Sequence, residues 1–424
     1  MAIENRACSL LPDTLDRVEP NLKHAGEAIA LEFRPTASGN RIATWKSLEI
    51  VRLQNKGDTP LKDLEIESLH LSFAVDPERD APRVRHLSGS WHYDGVYPPR
   101  AFRVEEERFL THDHCRPVRL ESSTMGSAGL HVPILQMMFR SGEGFFAGFE
   151  YSSNWHLEAG WATASFKGES RPPFVVRGGV GLGRFTLAAG ETLELPALHV
   201  GWFEANGDAA IRAYVQECAS ARFKGALPTP PVSYDHWFGI HEGFDADDLM
   251  RQADCAAALG CEYFCLDAAW YACKERWQDG FGNWLTPDPK KFPNGVEPLS
   301  EHVRSLGMGF GLWHMLESAC PDSDMLRLYP ECFHINSRGQ GYLRWDLPAA
   351  RALALELLRG WIERWNATWM RWECLDVTSW TTSLDPSGKL AIRAVQGFYE
   401  VIDTVRSAYP DVYIEGCQGG GTKL

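Results

Sequence analysis

The residues best suited to chemistry lie in the second half of the chain. Asp267, Glu373 and Glu415 each fall near the end of a short apolar run, and Trp237 and Trp313 do the same in two more. Carboxylates beside indoles suggest sugar chemistry. Cleavage of a glycosidic bond uses two carboxyl groups flanking the bond, one an acid and one a base or nucleophile. Indole faces pack against the C–H faces of a pyranose while a few polar groups fix its orientation. The chain holds 16 Trp, and Trp270, Trp284, Trp313 and Trp372 neighbour these run ends. Taken singly, each reads as a core residue; as a set at strand ends, they read as the lining of a sugar site. His112 and His114, in Thr-His-Asp-His-Cys at 111–115, would share a strand face as metal ligands, but a polar loop or strand edge is the plainer reading. Cys261 and Cys265 lack a second pair at zinc spacing. No metal and no cofactor is expected.

The elements that would position these groups come in two rhythms. Residues 1 to about 205 read as many short strands separated by Gly, Pro, Asn or Asp, which indicates a sandwich or barrel. Leu48 and Ile50 fall on one face of their run, and Val51 and Leu53 on the other. Leu64 and Ile66 alternate in one register, and Leu69, Leu71 and Phe73 in another, so a bulge or break is expected between them. Gly-Gly-Val-Gly-Leu-Gly at 178–183 has no helix after it and reads as a glycine-rich turn, not a phosphate loop. A helix is expected over 207–223, then a proline-rich link, Leu-Pro-Thr-Pro-Pro-Val at 227–232.

Beyond the link, strands alternate with helices: VSYDHWF, YFCLDAAWY, GFGLWHML, TWMRWECLD and VYIEGC, plus a short strand around 342–346. Asp245 with Asp248 forms a capping-box pattern, and Pro348 falls in the first turn of a helix striped by Leu353, Leu357, Trp361 and Trp365. Such alternation predicts a parallel sheet with helices outside. A (β/α)8 barrel carries its reactive groups at the C-terminal strand ends, whereas a nucleotide-binding sheet would show a glycine-rich first turn. The barrel is the expectation, with residues 1–225 as an N-terminal β-sandwich with linking helix and 226–424 as an incomplete barrel.

Composition narrows the function classes. The chain has 424 residues, 44% hydrophobic and 23% charged, as ordinary globular proteins do. Its formal charge of −14 argues against nucleic acid or an anionic membrane as partner. No apolar run approaches the ~18–20 residues of a bilayer span, and no signal peptide is evident at the start. Eleven cysteines, an odd number, read as reduced and buried, which suggests a cytoplasmic setting.

An ordered series of segments is similar to glycoside hydrolase family 36, the α-galactosidases or melibiases. TPPVSYDHW resembles that family's Pro-Pro-Val, first strand and Trp; LDAAWY resembles its Leu-Asp-Asp-Gly-Trp-Phe. GNW and KKFPNGVEPLSEHVRSLGMGFGLW resemble Gly-Asp-Trp, Lys-Phe-Pro-x-Gly and Gly-Met-x-Phe-Gly-Leu-Trp. RWE at 371–373 falls where the family has Lys-Trp-Asp, and EGCQGGG at 415–421 resembles Glu-x-Cys-x-Gly-Gly. ESSTMGSAG and FEYSSNWHLE resemble parts of its large β-sandwich. The resemblance is weak over 1–100 and strong over 228–421.

The resemblance implies that Glu373 occupies the nucleophile position and Asp376 is a possible substitute. It implies that Asp267, Trp270, Trp313, Arg371, Cys417, Gly419 and Gly420 bind substrate. Four departures stand out. Glu373 replaces Asp, which moves the carboxylate ~1–1.5 Å further out; misplacement of that size costs roughly 100-fold in rate. Ala268 replaces a second sugar-gripping Asp, and Asn283 replaces the acid of Gly-Asp-Trp. The family's acid/base, an Asp on a later strand, is not found before Leu424, which suggests a truncated frame or fragment. The implied function is a retaining α-galactosidase-like hydrolase acting on a carbohydrate. The alternatives are a silent fragment or carbohydrate-binding paralogue, and a raffinose-synthase-type transferase; a homo-oligomer is possible. Asp267, Trp313, Arg371, Glu373 and Cys417 are expected to converge on one pocket.

Overall fold

The computed structural model describes residues 4–5, 21–23, 29–39, 44–67, 69–73, 80–88, 103–108, 116–122, 130–161, 174–222, 229–373 and 378–417. His112, His114, Asp376, Gly419 and Gly420 lie outside the described residues. The fold is an N-terminal set of largely antiparallel sheets followed by a partial parallel (β/α) barrel. Two compact units are distinguished, one of Met1–Pro228, Thr381–Ile392 and Gly421–Leu424, the other of Thr229–Trp380 and Arg393–Gly420.

In the first unit, Leu61–Glu67 and Leu69–Phe73 belong to different sheets, so the change of alternation there is a break. The other change is a bulge. Thr44–Asn55 pairs with Ile29–Gly39, and the register skips Val51 between Ile50 and Arg52. One unpaired residue turns every later side chain to the opposite face, and Leu53 is accordingly fully buried. Gly178 and Gly179 sit in a strand, Phe174–Val180, and the chain leaves it only at Gly181. A Cβ on Gly178 would collide with the His156 carbonyl of the paired strand, so close approach of two backbones requires glycine there.

The second unit centres on five parallel strands in sequence order: Ser233–Asp235, Tyr263–Leu266, Gly309–His314, Ala367–Glu373 and Tyr413–Cys417. Helices Ala246–Ala258, Glu297–Ser305, Pro348–Trp365 and Lys389–Ala408 connect them. Phe264, Leu266, Phe310 and Leu312 are completely buried, as the middle of a parallel sheet demands. Asp245 and Asp248 close a reciprocal capping box, satisfying two orphan amides of the first of these helices. The third ends at Asn366, whose left-handed φ of 49° lets the chain turn into the fourth strand.

Three expected strands differ, the second of them stopping at Leu266 short of 267–271. The first ends at Asp235, and Trp237 opens a four-residue helix, Trp237–Ile240. The Asp235 carboxylate accepts the Trp237 amide at 2.8 Å, and this turn stops the strand before the indole. The segment around 342–346 is not a barrel strand. Gly341–Leu343 pairs antiparallel with Ser318–Ala319 and Phe333–Ile335 in a small side sheet that follows the third barrel strand.

Candidate functional site

The sheet register determines which side chains share a face. Asp235 is level with Cys265, Trp313 with Arg371, Arg371 with Glu415, and Glu373 with Cys417. Alternation along each strand puts these on the face opposite Leu266, Leu312 and Trp372. Asp267 directly follows the second strand. Arg371 reaches across: its Nη1 lies 2.5 Å from Asp235 Oδ2 and its Nε 3.5 Å from Asp267 Oδ2. Both aspartate side chains are 8% exposed and the arginine 17%. Cys417, level with Glu373, also borders the guanidinium, and Phe238 covers it with its ring centre 5.9 Å from Cζ. The structure thus brings Asp267, Arg371, Glu373 and Cys417 to one end of the sheet. Trp313 sits on that face but is almost buried, stacked on Tyr271 at 6.4 Å and edge-on to Trp277 at 6.0 Å. Donor atoms of Asp235, Cys265 and Asp267 lie within 4.8 Å of one another, and the cation they surround is this guanidinium.

Burial and charge set the protonation of this cluster. Loss of water and the neighbouring Asp235 push Asp267 up to about 8, although the Ala268 amide, donating to Oδ1 at 2.7 Å, and Arg371 oppose the shift. Burial alone would lower Arg371, but Asp235 and the other acidic groups around it prevail and raise it. Burial raises Glu415 despite Arg371; it raises the Cys417 thiol too, and the Glu373 carboxylate adds to that effect. Cys265 is fully buried and is raised by burial and then by the two aspartates. Beneath them, His236 Nδ1 accepts the Asp267 amide at 2.9 Å, and burial lowers this histidine to about 4. It is therefore a neutral ring with its proton on Nε2, anchoring the backbone of Asp267.

Other tryptophans serve packing. Trp270 has no exposed surface; its indole donates to the Trp313 carbonyl at 2.9 Å and meets Trp361 and Trp365 edge-on. Trp284 is equally enclosed, against Tyr271 and Phe281. Asn283 is a bracket between loops: it donates to the Ala272 carbonyl at 2.8 Å and accepts the Asp324 amide at 2.9 Å.

Three contributors escaped the sequence reading. Asp235 was overshadowed by Trp237, two residues on, although a strand-end carboxylate is the signal that found Asp267. His236 lies between them. Lys291, inside the Lys-Phe-Pro segment, donates to the carbonyls of Ala269 at 2.9 Å and Glu242 at 2.8 Å, with its ammonium 4.1 Å from the Phe244 ring centre. It ties the loop after the second strand to the loop after the first. The Lys-Phe-Pro resemblance marks the position but not its contacts, because both carbonyls are distant along the chain.

The profile described as Melibiase matches residues 210–424, half of the chain. The chain is 31% identical over 202 residues to "Alpha-galactosidase" of Escherichia coli, covering 46% of this chain and 28% of that protein. It is 24% identical over 393 residues to "Alpha-galactosidase AgaA" of Geobacillus stearothermophilus, covering 88% and 51%. The chain spans about half the length, or less, of these curated relatives. A crystal structure of the α-galactosidase from Lactobacillus brevis shares the fold at a TM-score of 0.68 and 20% identity, covering 94% of this chain and 57% of that one. A Geobacillus stearothermophilus AgaA variant in complex with raffinose aligns at 0.70 and 20% identity, covering 95% and 62%. Among the described residues, no helix is long and apolar enough to cross a membrane.

Proposed function

The chain belongs to the melibiase family, and from that premise we propose that it carries the sugar-gripping and nucleophile half of a retaining α-galactosidase-type site. The observation that supports this most is the cluster of Asp267, Arg371, Glu373 and Cys417 at one end of a parallel sheet, where barrels keep their chemistry. In this reading Glu373 attacks the anomeric carbon, the bond to the leaving oxygen breaks, and a covalent glycosyl–Glu373 ester forms and is then hydrolysed by water. Asp267 holds ring hydroxyls. The substrates are neutral α-linked galactosides, in keeping with the raffinose bound by the AgaA variant. Residues 1–225 form the sandwich domain and 226–424 the catalytic part. A cytoplasmic setting fits the cysteines at Cys255, Cys261, Cys265, Cys273, Cys320, Cys332 and Cys417, all free thiols.

The test uses dinitrophenyl α-galactoside, whose leaving group departs as an anion and needs no proton. The 424-residue chain is expected to release dinitrophenolate, and Glu373→Gln to abolish release. Turnover that survives Glu373→Gln but is lost in Asp376→Asn would move the nucleophile to Asp376. Galactoside binding without any turnover would favour a carbohydrate-binding role, a reading to which the longer Glu373 side chain lends some support.

A further inference from the structure

We infer that Asp235 and Asp267 share a single proton above the Arg371 guanidinium, which makes Asp235 a positioning residue that sets the protonation of the sugar-facing Asp267. Each carboxylate has one oxygen committed to backbone: Asp235 Oδ1 accepts the Trp237 amide at 2.8 Å, and Asp267 Oδ1 accepts the Ala268 amide at 2.7 Å. The remaining oxygens turn toward one another and toward one cation, at 2.5 Å and 3.5 Å from guanidinium nitrogens. Two acids, both 8% exposed, therefore meet one permanent positive charge. Their sum is one net negative charge in a site with little water, and a proton held between the two free oxygens cancels it. Like charges at this range cannot both stay ionised at ordinary cost.

Lys291, the other cation near this end of the sheet, is bound to the carbonyls of Ala269 and Glu242, and among the described residues Arg371 alone is ion-paired with the two aspartates. Cys265 lies on the strand that Asp267 directly follows, Tyr271 on the loop beyond, and Glu415 faces the same guanidinium from the fifth strand. His236 is committed to the Asp267 amide as a neutral ring. None of Cys265, Tyr271, Glu415 and His236 carries a positive charge, so none opposes retention of the proton. Arg371 is consumed by the same contacts, with Phe238 over its Cζ, and serves as the counter-charge of the pair. The bearing on sugar binding rests on the function proposed above; the shared proton itself does not.

Infrared difference spectroscopy of the full chain with isotope-labelled aspartate provides the test. A protonated-carboxyl C=O band is expected at about pH 6, where free aspartates are ionised, and it is expected to disappear with a midpoint of about 8. Asp235→Asn is expected to weaken or remove the band at about pH 6 by lowering the midpoint, since the Asp235 charge is gone while burial remains, and Asp267→Asn is expected to remove it as well. Absence of the band in the unmodified protein overturns the inference, a measurement that needs no variant to fold. Full persistence of the band with an unmoved midpoint in Asp235→Asn overturns it also, since the proton would then be held without Asp235. A band without galactoside binding would refute the proposed function and leave the shared proton standing; binding without a band would do the reverse.

Discussion

The two faces of one sheet hold buried polar groups in opposite ways. On the face toward the candidate site, Trp313 is level with Arg371, and Arg371 is paired with Asp235 and Asp267. One residue further along the same two strands, on the helix-facing side, His314 is level with Trp372. His314 is completely buried, with ring centres 5.0 Å from Trp361 and 4.9 Å from Trp372, and neither ring nitrogen has a hydrogen-bond partner. Trp372 donates to the buried Glu317 at 3.0 Å. Charge persists on the first face because a counter-charge is within reach. On the second, burial forces His314 down to about 3 and it stays neutral. A single step of strand alternation thus separates groups kept for chemistry from groups kept for packing.

The largest test of this contrast is removal of the counter-charge. Arg371→Met is expected to lower stability at neutral pH by ~3–5 kcal/mol, because it leaves two buried acids facing each other. Urea unfolding measures it, and the loss should shrink at lower pH as those acids take up protons. A change below ~1 kcal/mol would mean that water reaches the aspartates and that the pair is an ordinary surface bridge.

The second test sets the faces against each other in pH. Unfolded histidine titrates at ~6.5, and folded His314 at about 3. Its contribution is fully present above ~6.5 and is lost as pH falls toward 3, at up to ~1.4 kcal/mol per pH unit. His236, lowered to about 4, acts in the same direction. Asp267 acts oppositely: raised to about 8, it stabilises the fold below ~4 and that contribution is lost as pH rises through 8. His314→Phe is therefore expected to flatten the acid limb of the thermal midpoint against pH and leave the alkaline limb in place. An unchanged acid limb would show that His314 is not held neutral.

Much of this arrangement was legible in the residues. The βα rhythm put Asp267 and Glu373 near the ends of the second and fourth strands, while Cys417 came from the family resemblance. The break before Leu69 showed as a change of alternation. What escaped depends on contacts distant in sequence. Trp270 follows Asp267 by three residues and looked like site lining, yet the loop folds its indole back under Trp313. Asp235 was missed because the strand was extended to Trp237, whereas the aspartate itself ends it by accepting the Trp237 amide. The 342–346 segment has strand composition, and composition cannot distinguish a barrel strand from a side sheet. Carboxylates and aromatics occur on both faces of this sheet, so residue type alone does not assign a face; register does.

The smallest expected effect lies at the hinge between the second strand and the site. Ala269 has a φ of 71°, a left-handed conformation that costs an L-residue with a Cβ on the order of 1 kcal/mol or more. The family segment that LDAAWY resembles has glycine at this place. The strain is held in by contacts on both sides of the residue. The Ala269 carbonyl accepts from Lys291, the Ala268 amide donates to Asp267, and Trp270 is fixed to Trp313. Ala269→Gly removes the clash but gives the unfolded chain more freedom, which returns ~0.4–1 kcal/mol of the gain. The net is a stabilisation of at most ~1 kcal/mol, seen as a small rise in thermal midpoint with the pH limbs unmoved. A fall in midpoint would mean that the alanine methyl packs well enough to offset its own strain. A shift in the alkaline limb would mean that the backbone at 269 also sets the distance between Asp267 and Asp235, and the two faces of the sheet would then be less independent than their alternation implies.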